Sequence, residues 1–261
     1  MINRNFLQYL LCCAIPAIFS GSLQAQPVPI KEFTLKYKLA KTVEASNGNI
    51  RTKLSSTEIN MAGNRMRITN ELRPGVLTTY LYDPDKTSSQ VFIHDANDSI
   101  TYQEEYRRKE LLDIVLAEEK DGKTELLTDT RTINGWSCQK AIVTFDSTAI
   151  TVWYTDSHIL KPAGIGYALK DIPGLPVIIS FNEGNRLNMS IVTSIHNTYM
   201  LEKFSIPDNP AAALAVPNAE RYRVVNARTE RTMIMQQMFA GSPPIMEVPE
   251  EMKPFILTSA N

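Results

Sequence analysis

Few side chains in this sequence could do chemistry, and they are scattered. The three histidines, His94, His158 and His196, stand far apart, so no two share the i,i+4 spacing that sets a pair of metal ligands on one helix face. No Cys-x-x-Cys or His-Glu-x-x-His segment occurs, which excludes the usual zinc patterns. Gly-x-Ser-x-Gly, Walker-type and Gly-x-Gly-x-x-Gly loops are absent too. Cys138 could act as a nucleophile only beside a histidine brought from afar, and it stands in an alternating segment where a cysteine reads as a small buried hydrophobe. The carboxylates are spread out, with no pair marking a glycosidase. The expectation is therefore no catalytic, cofactor-binding or metal site. A hydrolase would need a cleft gathering His94, His158 or His196 with a carboxylate or Cys138.

Composition narrows the class further. The 261 residues carry 27 Lys+Arg against 28 Asp+Glu, with 43% apolar and 21% charged residues. That balance excludes a disordered acidic chain, a basic nucleic-acid binder and a polytopic membrane protein. The basic cluster Arg107-Arg108-Lys109 is interleaved with Glu104, Glu105 and Glu110, which reads as a solvated helix face.

The N-terminus carries an address. Arg4 precedes an uncharged, mostly apolar run from Phe6 to Phe19, and Ser20-Gly21-Ser22-Leu23-Gln24-Ala25 comes next. This order predicts a secretory signal peptide over 1–25, cleaved after Ala25, and a mature protein in the periplasm or outside the cell. The run is shorter than the roughly 20 residues of a spanning helix and contains Gln8 and Pro16. No later stretch reaches spanning length. Cleavage would remove Cys12 and Cys13 and leave Cys138 as the sole thiol, without a partner for an internal disulfide.

The segments that would have to position any site alternate. Phe33, Leu35, Tyr37 and Leu39 fall on one side of Ile30–Val43, with Thr34, Lys36 and Lys38 on the other, the period of a strand with one buried face. Similar short runs recur to Tyr102, separated by turns such as Gly63-Asn64, and predict an antiparallel meander. Glu104–Lys120 predicts a helix ended by Gly122, from the pairs Leu111/Val115 and Leu112/Leu116. Strands resume over 124–130, 137–146, 149–155, 177–182 and 186–199. After Ile206, Pro207, Pro210 and Pro217 predict a linker, and Asn218 is placed to cap a helix over 219–240. Five of the ten methionines fall in this tail (Met233, Met235, Met238, Met246, Met252). The expected organisation is a signal peptide (1–25), a β domain with one inserted helix (26–205), and a linker with a helical Met-rich tail (206–261).

Two motifs carry a resemblance. Ile133-Asn134-Gly135-Trp136-Ser137-Cys138-Gln139-Lys140-Ala141 leads into one strand; Val152-Trp153-Tyr154-Thr155 is followed by Ile172-Pro173-Gly174-Leu175 leading into another. In order and spacing they resemble the GLPGLI family of exported bacterial proteins, as a divergent member in which only Pro173-Gly174-Leu175 of the name-giving hexapeptide survives. Asp171, Ile172 and Pro176 replace its neighbours. The resemblance implies a LolA-like fold: β-rich α+β, a curved antiparallel sheet or incomplete β-barrel with helices on its concave side. Gly135, Trp136, Cys138, Lys140, Trp153, Tyr154, Pro173, Gly174 and Leu175 read as fold devices, the glycines supplying positive φ at sharp turns.

For function, a one-sided alternating sheet without a catalytic set implies a non-enzymatic, exported binding protein whose concave apolar face takes a lipid or other apolar small molecule. Burying about 12 methylenes at ~0.8 kcal/mol each suffices for micromolar binding without any motif. The alternative is an envelope interaction protein whose own helices fill the sheet while it docks on another protein. Nucleic acid is not an expected partner.

Overall fold

The computed structural model describes residues 29–83, 88–94, 99–105, 122–145, 148–160, 169, 171–182, 192–225 and 249–256. Alternation shapes nearly all of it. β1 (Glu32–Ala45), β2 (Ile50–Ala62), β3 (Arg65–Arg73), β4 (Val76–Tyr82), β5 (Ser88–His94) and β6 (Ser99–Glu105) form one antiparallel meander. β7 (Lys123–Ile133), β8 (Trp136–Phe145), β9 (Thr148–Thr155), β10 (Leu175–Asn182) and β11 (Val192–Ser205) form a second. β11 returns to pair with β1, so these two 14-residue strands lie at the centre of one 12-stranded sheet. β12 (Arg223–Val224) adds a parallel pairing on the free edge of β6; every other strand pairing is antiparallel. The sheet is open, with β12 and β7 at its two ends. The expectation of a β-rich antiparallel sheet therefore holds.

Turn chemistry agrees with the chain. Gly63, at φ 63°, opens the two-residue turn between β2 and β3. Asn134 and Gly135, at φ 48° and 81°, both adopt the left-handed region that a type I′ hairpin turn demands between β7 and β8.

Cross-strand partners share a face. On one face Phe33, Leu35 and Tyr37 of β1 oppose Met61, Ile59 and Thr57 of β2, which in turn oppose Met66, Ile68 and Asn70 of β3. Phe33, Leu35, Tyr37 and Ile59 are fully buried, and the same face continues through Leu201, Ile179, Val152 and Ala141 of the second meander. We call it the apolar face. The opposite face of β1–β3 carries Lys36, Lys38, Glu58 and Arg67; Glu202, bulged out of β11, joins them through ion pairs to Lys36 and Lys38 at 2.9 and 3.3 Å. Those pairs hold the Glu202 carboxyl below the usual carboxylate range and raise the Lys36 ammonium.

Four sequence expectations need correction. The predicted burial of Leu39 gives way to half-burial, while Ala40 and Thr42 on the opposite face are buried. The helix predicted from Glu104 does not begin there, because Glu104 and Glu105 pair with Ser89 and Ser88 as the end of β6; residues 106–121 lie outside the described residues. Helices on a concave side are not found among the described residues: their one α-helix, α1 (Pro210–Ala213), is four residues long and lies against β2. Its cap is Asn209, whose side chain accepts from the Ala212 amide, with Pro210 at the first position. Asn218, at φ 54°, makes no side-chain cap, and Ala219–Arg221 is a single 3-10 turn; residues 226–240 of the helix predicted there lie outside the described residues. Of the tail methionines only Met252 is described.

The 206–225 segment is accordingly a strap. Ala215 O accepts from Arg67 of β3, the Tyr222 ring meets Phe92 of β5 edge-on at 5.1 Å, and the Val225 amide bonds Thr101 O at 3.0 Å. Residues 249–256 lie across the second meander on the same face as Lys36: Met252 is fully buried, and Phe255 O accepts from Thr198 Oγ1 at 3.0 Å. The Arg131 guanidinium of β7 sits 5.2 Å over the Phe255 ring.

Candidate functional site

The motif residues lie in the second meander: Trp136, Cys138, Lys140, Trp153, Tyr154 and Leu175 on β8, β9 and β10, and Gly135, Pro173 and Gly174 in the turns that enter β8 and β10. Trp136 meets the His158 ring edge-on at 5.8 Å, and His158 lies 4.6 Å from the Phe204 ring. Lys140 stands 5.9 Å over the Trp153 ring on its cross-strand partner, and Tyr154 donates to Gln139 Oε1 at 2.9 Å. Cys138 is buried, and desolvation pushes its thiol up to about 11, the opposite of an activated nucleophile. Gly174 is not in the left-handed region, contrary to the expectation for it. A Cβ there would meet Thr155 O at 2.1 Å, so what it permits is close approach of two backbones. Pro173 is exposed and Leu175 is fully buried.

The histidines are not assembled. His94 on β5 shares a hydrogen bond with Ser99, His158 with Ser157, and His196 on β11 with Ser180 and Asn182. No carboxylate partner of any of them is found among the described residues, nor any group of three His, Cys, Asp or Glu able to hold a metal ion.

His196 does carry a pH consequence. Its Nε2 lies 2.8 Å from Ser180 Oγ and 3.3 Å from Phe255 O, and burial lowers its pKa from 6.5. A depressed base binds its proton more readily in the unfolded chain, so stability falls as pH drops below about 6.5 until the folded imidazole also protonates. The expected result is a denaturation midpoint that declines on acidification through this range, with that component absent in His196→Gln. An unchanged pH dependence in the variant would contradict it.

The best candidate lies on the apolar face, toward the β1–β2 hairpin. One cross-strand row there runs Val143, Ile150, Phe181, Asn197, Lys41, Lys53, taking one residue each from β8, β9, β10, β11, β1 and β2. It grades from buried apolar side chains, through an amide, to two cations. The row on one side brings Tyr199 opposite Leu39; on the other, Ile195 faces Val43, which faces Arg51. Leu39, Lys41, Val43, Lys53 and Tyr199 are half-buried, whereas Phe181 and Ile150 are buried. Asn197 is 2% exposed, and its Nδ2 is a buried donor with no hydrogen-bond partner among the described residues.

Sequence reasoning missed this row. A signal did exist. The turn in which Gly48 N bonds Ala45 O folds Lys41 back directly opposite Lys53, and like charges placed opposite one another destabilise a sheet.

Comparison with known proteins gives partial likenesses. The family model that matches residues 86–175, about a third of the chain, is described as "N-glycanase peptide, N-terminal domain", in place of the GLPGLI family that the motifs resemble. No curated protein matches. Among solved structures, PNGF-II is similar at TM-score 0.39 and 14% identity, over 78% of this chain and 33% of its own. This chain thus spans about a third of the length of PNGF-II. A DUF1329 family protein from Desulfovibrio piger is similar at TM-score 0.32 and 10% identity, over 69% of this chain and 87% of its own. A LolA superfamily protein from Nitrosomonas europaea is similar at TM-score 0.26 and 11% identity, over 72% and 93%.

Proposed function

We propose that the protein is an exported, non-enzymatic binding protein of the cell envelope that holds an apolar ligand against the hairpin end of its apolar face. One observation carries this reading. Half-buried Leu39, Val43 and Tyr199 adjoin a fully buried wall, beside an amide donor left without a partner. A buried donor in that state costs about 1–3 kcal/mol, and a guest molecule able to accept from it would recover that loss. The signal-like segment 1–25 supports export, and the inert thiol and unassembled histidines support binding rather than turnover.

Titration of the full chain with a neutral apolar fluorophore such as N-phenylnaphthylamine, with native mass spectrometry of protein from an exported fraction, tests it. Saturable fluorescence enhancement in the micromolar range is expected. A strictly ligand-free mass together with no fluorophore uptake would overturn it.

A second reading, docking on an envelope protein with the chain's own residues filling the sheet, is favoured by the complete burial of Phe33, Leu35, Tyr37 and Ile59 at the sheet centre. It gains if uptake fails.

A further inference from the structure

We propose that this site selects for charge as well as apolarity: its ligand is a long-chain carboxylate, with the alkyl chain along Leu39, Val43 and Tyr199 and the headgroup met by Asn197 Nδ2, Lys41 and Lys53. The inference rests on the apolar-ligand reading above and goes beyond it in naming the ligand's chemistry.

Two independent local costs coincide at this one place. Lys41 and Lys53 are direct cross-strand partners, with Cβ atoms about 5 Å apart in such a pair, so two cationic side chains leave the same face from neighbouring positions. Asn197, the partner of Lys41 on its other side, buries a donor for which the described residues offer no acceptor. A sheet has no structural need for either arrangement, and mutually inconsistent local choices concentrate where a site is built for something outside the chain.

An anion relieves both at once. A carboxylate offers two oxygens and about four lone-pair sites, enough to accept from the Asn197 amide and from both ammonium groups. The surrounding charge agrees. On the apolar face of β1, β2, β10 and β11 no described residue is a carboxylate, while Arg51 adds a third cation one row further out. The four acids of these strands, Glu32, Glu44, Glu58 and Glu202, belong to the opposite face, where Glu44 accepts from Ser194, Glu58 pairs with Arg67 and Glu202 pairs with Lys36 and Lys38. Lys41 and Lys53 already make interactions in the structure, so the incoming headgroup shares or exchanges partners with them rather than meeting bare cations.

The apolar half of the ligand is required by the same rows. Leu39 and Tyr199 on one side of Lys41, and Val43 on the other, put half-buried hydrocarbon within one residue pair of the cations. A short carboxylate would leave that surface wet, and a neutral long chain would leave Asn197 and the lysine pair as they are.

Competition against the neutral fluorophore on the full chain, with laurate, dodecanol and butyrate as competitors, tests this. Laurate should displace it at about tenfold lower concentration than dodecanol, the ratio that one charge-assisted hydrogen bond gives, and butyrate should not displace it. Lys41→Gln and Lys53→Gln should each bring the laurate-to-dodecanol ratio toward one. Asn197→Leu should weaken laurate yet raise the melting temperature without ligand, since it removes an unpartnered buried amide. If laurate and dodecanol compete equally, charge selection is overturned while the apolar-ligand reading stands. If neither competes and the fluorophore itself does not bind, both fall. A laurate preference that survives in the double lysine variant places the headgroup elsewhere and overturns the assignment.

Discussion

Replacing Gly174 by alanine is expected to destabilise the protein by about 3 kcal/mol or more, the upper end of what overpacking costs. The added Cβ would stand 2.1 Å from Thr155 O and 2.8 Å from the Thr155 carbonyl carbon, and both are backbone atoms of β9 that no rotamer change can move. Relief requires separating the entry to β10 from the end of β9, where Leu175 pairs with Thr155. A domain of this kind has about 5–15 kcal/mol in hand, so the variant should lose much of its urea midpoint and a large share of its soluble yield. Gly135 is the informative contrast. It does adopt a positive φ of 81°, but nothing lies within 4 Å of its absent Cβ, so Gly135→Ala should cost only about 1–2 kcal/mol of left-handed strain. If the two variants unfold at the same denaturant concentration, the close-approach explanation of Gly174 is wrong.

That contrast also shows what the sequence could and could not disclose. Asn134-Gly135 between alternating runs is a local signal, because the turn's dihedral demands act within two residues, and both residues adopt the conformation it requires. Pro173-Gly174 looks equally local, yet its reason lies at Thr155, across a strand pairing that sequence spacing does not reveal. The same division runs through the sheet. Phe33, Leu35 and Tyr37 were legible from their period because one face of β1 is buried there. Ala40 and Thr42 were not, since burial on the other face depends on what the folded chain lays over it, as where Phe255 O meets Thr198, the partner of Ala40.

The continuous run Leu175-Pro176-Val177-Ile178-Ile179 is buried throughout, the signature of a strand covered on both sides, although Pro176 interrupts its ladder with a register shift before Ile178. The candidate site lay furthest from reach. Its row combines six strands from two meanders, and only the pairing of β1 with β11 sets Asn197 beside Lys41. Register across non-local strands depends on the assembled face, not on any one segment.

Tyr37 is expected to show how firmly those two meanders are joined. Its ring, fully buried on β1, meets the Tyr199 ring of β11 edge-on at 6.3 Å, and its hydroxyl reaches past β11 to donate to Pro176 O on β10 at 2.8 Å. Burial also pushes the phenol's pKa up, which favours the neutral hydroxyl that donates this bond. Tyr37→Phe keeps the packing and removes one buried hydrogen bond, for an expected loss of about 1–2 kcal/mol. Tyr37→Ala removes the ring as well, and about 4 kcal/mol or more should be lost.

The two tryptophans make the location of the loss readable. Trp136 and Trp153 both belong to the second meander, on β8 and β9, while Tyr37 belongs to the first. If the β1–β11 seam transmits folding as one cooperative unit, the alanine variant must shift the tryptophan fluorescence transition as far as the circular dichroism transition, although neither indole neighbours Tyr37 on its strand or on the strand beside it. A fluorescence transition that stays in place while the circular dichroism signal is lost early would mean that the meanders unfold separately. The row from Val143 to Lys53 would then bridge two units able to part, and its geometry could not be held steady enough to discriminate one ligand headgroup from another.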